Sequence, residues 1–491
     1  MSFASLAARS NEQRSRNHFF IGGEWVAPAS DRRFRLINAS TGKEFASVPE
    51  AVEADVDRAV AAARAALEAP DGWAKWAPAK RAGAMARFSD ALKKRSGDLA
   101  RAVTLQNGMP ITLSSTFEGG LSIGVLDYYT QLAMAMLQEE VRPSQMGRET
   151  LVSRAPIGVV AAIVPWNFPV VLAMTKIGPA LATGCTMVIK PSPGTVLDSY
   201  IMAEAAAEAG IPAGVLNWVA ADRAVGAYLV SHPGIDKVAF TGSTPAGRSI
   251  AKTCGEMLRP VTLELGGKSA AIILDDANID SVIQGLQMAS LMNNGQACFN
   301  CTRILAPKSR YGQIVEALAA MTNSLTVGDA MEQSTQVGPM ASSAHRDRVE
   351  GYIAKGKAEA RLVSGGGRPK GVNGGWFVQP TVFADVANTA TIAREEIFGP
   401  VLAVIPYQGD AEAVRIANDS EYGLGGSVWS SDQQRARGVA RQVQTGTIGI
   451  NGYVPSLGSP FGGVKSSGLG RELGPEALSS YQQWKSVYVM G

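Results

Sequence analysis

Pro156-Ile157-Gly158-Val159-Val160-Ala161-Ala162-Ile163-Val164-Pro165-Trp166-Asn167-Phe168-Pro169 lies inside a run with no charged residue between Arg154 and Lys176. A run of that length can cross a bilayer. Three prolines and Asn167 inside it break any spanning helix. The apolar part, Gly158 to Val164, reads instead as a strand buried on both faces, followed by a turn and a helix over Val171 to Ala182. The same alternation continues downstream. Strands are expected at Thr186–Ile189, Leu216–Val219 and Lys237–Phe240, with helices at Leu197–Ala209 and from Thr244. Such a pattern implies a parallel sheet covered by helices.

A second alternating block runs from Ala270 to Gly452. Its expected strands are Ile272–Leu274, Thr302–Leu305, Phe377–Phe383, Val401–Ile405 and Thr447–Ile450, and its helices Ile279–Leu291 and Tyr311–Leu325. Leu258–Gly267 reads as the joint between two α/β lobes. Upstream, Phe20–Trp25 reads as a hairpin with glycines at its turn. Helices are expected from Ala54, over Ala79–Gln106 and over Phe117–Leu137. Ser480–Met490 alternates like a strand without a local partner, so it is expected to pair with another chain.

The 491 residues suffice for about two or three domains. A hydrophobic fraction of 46% and a charged fraction of 18% suit a large buried core. A net charge of +3 gives no reason to expect nucleic acid or an anionic membrane as partner. Four irregularly spaced cysteines point to a reducing, cytoplasmic setting, and three scattered histidines form no metal cluster. Met1–Arg16 carries arginines, serines and alanines as transit peptides do, but Glu12 interrupts it and no amphipathic stripe is present.

Cys298 stands in Asn294-Gly295-Gln296-Ala297-Cys298, downstream of Glu264-Leu265-Gly266-Gly267-Lys268. A thiol among small and polar residues can act as a nucleophile, and a carboxylate on glycine-rich backbone as a base. Sulfur adds to an aldehyde carbonyl to give a thiohemiacetal, which becomes a thioester on losing hydride. Cys185 and Cys254 read as core residues. Cys301 completes a C-x-x-C pair with Cys298 but has no further ligands for zinc. It reads as a packed neighbour, with a reversible disulfide as the alternative. Asn167, on a proline-stiffened turn, is a fixed donor that can face an oxyanion, with the Cys298 N–H as a second. Gly242-Ser243-Thr244-Pro245-Ala246-Gly247 follows a strand and opens a helix, as phosphate-binding turns do, although it is not G-x-G-x-x-G. Lys190 ends a strand where α/β sheets bind ligands. Glu395-Glu396-Ile397-Phe398 sets carboxylates beside an aromatic.

These segments, with Phe20-Ile21-Gly22-Gly23-Glu24-Trp25, Pro460-Phe461-Gly462-Gly463 and Lys465-Ser466-Ser467-Gly468, resemble the aldehyde dehydrogenase superfamily over most of the chain. The resemblance implies an α/β fold of three parts. These are a Rossmann-like cofactor domain (1–129 and 153–260), a catalytic domain (261–455) and a small β oligomerisation hairpin (130–152 with 476–491) supporting a homodimer or homotetramer. It implies Cys298 as nucleophile, Glu264 as general base and Asn167 as oxyanion donor. Lys190 would meet the adenosine ribose, Gly242 and Ser243 the pyrophosphate, and Glu396 the nicotinamide ribose, with Phe398 packed nearby. Pro165, Trp166, Ser192, Gly247, Leu265 and Gly266 would complete the cofactor site. Pro193 stands where many NAD-preferring relatives carry glutamate. Its lack of charge removes repulsion against a 2′-phosphate, so the cofactor is NAD or NADP, with NAD placed first. The expected reaction oxidises an aldehyde to the carboxylic acid, the thioester being hydrolysed by water that Glu264 activates. A CoA-acylating enzyme and a non-catalytic protein on the same fold are the alternatives. Phe168, Met174, Phe299 and Phe461 are the expected walls of an apolar pocket for an uncharged aldehyde.

Overall fold

The computed structural model describes residues 16–372 and 374–490; most of the arginine-bearing segment Met1–Arg16 lies outside them. The uncharged run divides as its prolines dictate. Strand Val159–Ile163 is buried at every position, and helix Pro169–Thr183 starts with proline in its first turn and stops at Gly184, whose φ is 94°. Both ends follow from backbone chemistry, since proline lacks the N–H that a first turn leaves unbonded and glycine tolerates the left-handed cap. No helix among the described residues is long and apolar enough to cross a membrane.

Strand Val159–Ile163 is central in an eight-stranded sheet. Lys237–Thr241 and Val261–Glu264 lie parallel on one side of it, and Thr186–Lys190 and Leu216–Trp218 on the other. The hairpin Phe19–Ile21/Glu24–Val26 closes one edge antiparallel, and Gly468–Leu469 the other. Val261–Glu264 therefore extends the first sheet past residue 260, and the joint expected at Leu258–Gly267 contains a strand of this sheet. Its four residues are followed by a glycine pair, which hides them in the sequence.

The second sheet has seven strands. Ala270–Ile273 pairs in parallel with Arg303–Pro307 and with Gly426–Trp429. Alternate residues of Ala270–Ile273 enter two different apolar cores, Ala270 and Ile272 on one face and Ala271 and Ile273 on the other. The expected strand Phe377–Phe383 is paired only at Thr381–Ala384, after Pro380. Helix Ser343–Glu359, which no sequence expectation covered, belongs to this lobe.

The helix expected from Ala54 forms unbroken as Glu53–Glu68, whereas the two expected after it are interrupted. Pro78–Lys93 and Ser96–Asn107 replace one, and Ile111–Thr116 and Ser122–Met134 flank a wide π turn at Phe117–Leu121 in the other. The turn contains Gly119 and Gly120, the weakest helix formers after proline. The last strand, Gln482–Val489, pairs antiparallel with Glu149–Pro156 of the same chain, which in turn pairs with Glu139–Pro143. The expectation that it lacks a partner within the chain is thus corrected; the partner lies far upstream.

Gly158 shows how tightly the first sheet is closed. Its φ is +133°, and a Cβ there would lie 1.9 Å from Asp236 Oδ2. That oxygen accepts from Val159 N at 2.7 Å and from the Arg64 guanidinium at 2.7 Å. Gly158→Ala is expected to destabilise the chain by about 2 kcal/mol, because it strains φ and displaces the carboxylate. Thermal unfolding followed by circular dichroism checks this; an unchanged midpoint would contradict it.

Candidate active site

The two sheets meet at the segment Leu265–Ser269. Glu264 ends the last parallel strand of the first sheet, and Ala270 opens the second. Gly267 passes directly under Cys298: a Cβ at 267 would sit 2.5 Å from the Cys298 carbonyl oxygen. Its N–H donates to Glu396 Oε1 at 3.0 Å. A cavity of about 200 Å³ opens here, lined by Pro165, Trp166, Asn167, Gly242, Ser243, Glu264, Leu265, Gly266, Cys298, Glu396 and Phe398. All eleven were expected from sequence. Thr241, His345 and Arg348 join them and were not.

Three expected residues do not line this cavity. Lys190 is buried at its strand end, and its Nζ donates to Ala221 O at 2.8 Å and Pro191 O at 3.2 Å. Burial pulls its ammonium down to about 8, against a smaller opposing pull from Asp222. Ser192 is half-buried two residues on. Gly247 lies in helix Thr244–Glu256, where a Cβ would collide with Leu265 at 2.4 Å, so it lets helix and linker approach.

Cys298 and Asn167 also line a second, almost wholly apolar tunnel of about 90 Å³. Its walls include Phe117, Leu121, Phe168, Val171, Leu172, Phe299 and Phe461. Met174, expected among the walls, is instead buried in the core. The helix turns about 100° per residue, which puts Val171, Leu172 and Thr175 on the tunnel side and Met174 past the edge of that face.

The backbone around Cys298 is fixed by amides. Asn167 Nδ2 donates to Gln296 O at 3.1 Å. Asn107 Nδ2 and Asn293 Nδ2 donate to Asn167 O at 3.1 and 2.9 Å. Asn293 and Asn294 have φ of 52° and 60°, a left-handed pair that asparagine tolerates best among residues with side chains. Asn294 is held by Gly108 O, Pro339 O and Gly338 N. Phe398 also has positive φ, 63°, and its carbonyl contacts His345 Nε2 at 2.7 Å. Glu118, fully buried in the π turn, accepts from Val170 N at 2.7 Å and so caps the helix that follows Asn167.

Neither carboxylate oxygen of Glu264 has a hydrogen-bond partner. Burial, and then the charge of Glu472, push its pKa well above the usual carboxylate range, against the pull of Lys176 and Arg471. Lys176 and Glu472 form a buried ion pair at 2.8 Å, and Lys176 Nζ also donates to Thr241 Oγ1 at 2.7 Å. Neither was read from sequence. Lys176 offered a signal, as the charge that ends a long apolar run; Glu472 offered none. Burial raises the Glu396 carboxyl to about 7, tempered by the Gly267 N–H. It lowers the His345 imidazole to about 4. All four cysteines are free, and Cys301 is packed in the second lobe's core with its Sγ 3.6 Å from Ser427 Oγ. Among the described residues no cluster could hold a metal ion.

The model of the aldehyde dehydrogenase family matches residues 25–487. A geranial dehydrogenase of Castellaniella defragrans is 60% identical over 474 residues, covering 96% of this chain and 99% of that protein. An aldehyde dehydrogenase of Mycobacterium tuberculosis, solved with NAD+, has a TM-score of 0.94 at 46% identity, covering 97% of this chain and 98% of its own. A mutant of aldehyde dehydrogenase C from Pseudomonas syringae, solved with NAD+ and octanal, has a TM-score of 0.93 at 37% identity, covering 96% of both chains.

The Cys298 thiol is pushed up from its ordinary value by burial first, then by the charges of Glu396 and Glu264. A raised pKa leaves less thiolate at any pH below it. Alkylation of the ligand-free protein by iodoacetamide is therefore expected to be slow at neutral pH. Its rate should still climb at about pH 10 instead of levelling above the ~8.5 of a free thiol. Peptide mass spectrometry at residue 298 reads this; a plateau near neutrality would overturn it.

Proposed function

The chain belongs to the aldehyde dehydrogenase family, and from that premise we propose how its own residues oxidise an aldehyde to the acid. The observation that carries the reading is the position of Cys298 and Asn167. Both line the polar cavity and the apolar tunnel, so they stand where two ligands meet. The polar cavity suits a dinucleotide: the Gly242-Ser243 turn leads into a helix N-terminus, and Glu396 offers a half-buried carboxylate to a ribose. A nicotinamide cofactor bound there would supply the acceptor for the hydride that the tetrahedral adduct on sulfur loses as it becomes a thioester. Lys190 and Ser192 would hold the adenosine end, and uncharged Pro193 leaves NADP acceptable beside NAD.

The Cys298 thiol gives up its proton to solvent in the polar cavity, and Sγ, as thiolate, forms a bond to the carbonyl carbon of the aldehyde. The developing oxyanion accepts from the free N–H of the Asn167 amide and from the Cys298 backbone N–H. A preorganised donor of this kind is typically worth ~3–4 kcal/mol of barrier. Glu264 then takes a proton from water. The hydroxide adds to the thioester carbon, the C–S bond breaks, and the thiol regains a proton. Glu264 suits this work because its carboxylate is unpaired and burial raises its affinity for a proton above that of a solvated acid. Lys176 and Glu472, with Thr241, lead away from Glu264 and give the proton a path.

The tunnel has almost no polar lining, which selects an uncharged aldehyde. The names of the relative above and the octanal in a structural neighbour agree with an aliphatic or isoprenoid chain. In the assembly, the eight-stranded sheet would carry the dinucleotide and the seven-stranded sheet the Cys298 loop. The three-stranded sheet, with Val141, Trp484, Val487 and Tyr488 exposed, would join a second copy of the chain.

A panel of aldehydes run with NAD and with NADP tests the activity. Cys298→Ala should remove all reduction of cofactor. Glu264→Gln should give one burst of NADH per site and then stall, seen by stopped-flow absorbance. Undiminished steady turnover by Glu264→Gln would rule out its role as base.

The Glu472 charge raises the Glu264 pKa. Glu472→Gln removes that charge and frees the Lys176 cation, and both changes lower it. Where deacylation limits turnover, the acid limb of the kcat–pH profile should move to lower pH while the plateau falls. A profile that only scales, without moving, would reject the coupling of Glu472 to Glu264.

A further inference from the structure

The tunnel that ends at Cys298 holds only about 90 Å³, well below the ~300–1,000 Å³ of ordinary ligand pockets. Beside it lies a groove of about 460 Å³, open to solvent, that shares two of the tunnel's wall residues, Phe117 and Met292. One side of the groove comes from helix Ile279–Leu291, through Gln287, Met288 and Leu291, and the other from the segment around Leu113. Its buried lining includes Leu291, Leu325 and Val337 with Asn293 and Thr335, and the amides of Gln284, Gln333 and Gln336 are exposed.

We propose that this groove is a second subsite, which takes the distal end of a long, uncharged aldehyde whose carbonyl is at Cys298. The proposal rests on the activity inferred above. Its physical basis is the partition. Met292 is unbranched, with three rotatable bonds, and adapts to what it touches. Phe117 opens the π turn Phe117–Leu121, an irregularity often found at functional sites. The turn itself is anchored, because the Glu118 carboxylate accepts from Val170 N at 2.7 Å and Val171 N at 3.4 Å. The backbone is thus fixed while two side chains separate the cavities. Rotation of either joins the tunnel to the groove without moving Asn167 or Cys298. A short aldehyde needs only the tunnel. A chain too long for it gains apolar contact in the groove, while a neutral polar group at its far end meets the glutamine amides of the rim.

The test compares kcat/KM for dodecanal with that for propanal in the full-length enzyme. Met288→Glu sets a charge on the groove wall at a residue already 43% exposed. Thr112→Trp fills the groove from the opposite side, also at an exposed position. Each is expected to lower the dodecanal-to-propanal ratio about tenfold, the loss expected when a few methylenes forfeit apolar contact. Phe117→Ala, which opens the partition, is expected to raise the ratio. A ratio unchanged in both groove variants, with propanal still oxidised, would overturn the subsite and leave the activity standing. No cofactor reduction with any aldehyde in the native enzyme would overturn the activity and the subsite together.

Discussion

Five residues, Leu265–Ser269, carry the chain from one sheet to the other, and the site depends on how closely they pass beneath Cys298. Gly267 has no room for a side chain against the Cys298 carbonyl, and its N–H is the one that Glu396 accepts. A Cβ on Gly266 would fall 2.5 Å from the Glu396 carboxylate. Glu264, Cys298 and Glu396 come from three separate parts of the chain, yet each is positioned against this one strip of backbone. The glycines serve here because they are small; the conformation they permit is secondary.

The same crowding explains the electrostatics. The carboxylates at 264 and 472 and the ammonium of Lys176 are buried, and Glu396 is half-buried. Burying a charge is costly unless it is paired and hydrogen-bonded. Glu472 and Lys176 meet that cost with each other and with Thr175 and Thr241. Glu264 does not: its oxygens have no partner. A fold under selection for stability alone would fill such a place with an apolar residue. An unpaired carboxylate next to a satisfied ion pair is a group kept ready to take up a proton.

Local signals made much of this legible. Prolines around Asn167, the glycines after Glu264 and the Gly242 turn act on their own neighbourhoods, so a sequence window contains them. The parallel strands between Val159 and Phe240 were readable for the same reason, being nearly all apolar. What escaped the reading was set by distance or by phase. Lys176 and Glu472 are 296 residues apart, and nothing near Glu472 marks it. The last strand showed its alternation but not its partner, Glu149–Pro156. Met174 was placed in the pocket on hydrophobicity, but the turn of the helix carries it into the core. Val261–Glu264 was too short for its period to show.

The two cavities also bear on the chemistry proposed for the thiol. A nucleophile in an open polar cleft would face water throughout, and a thioester formed there would hydrolyse without control. A nucleophile at the end of a dry tunnel would form a thioester that no water reaches. Cys298 sits at the boundary, with apolar side chains on one side and Glu264 and the amide framework on the other. The organic group of a bound aldehyde closes the dry side and leaves the carbonyl carbon facing the polar one. In the proposed reaction, water would approach that carbon from the side of Glu264, the residue proposed to activate it.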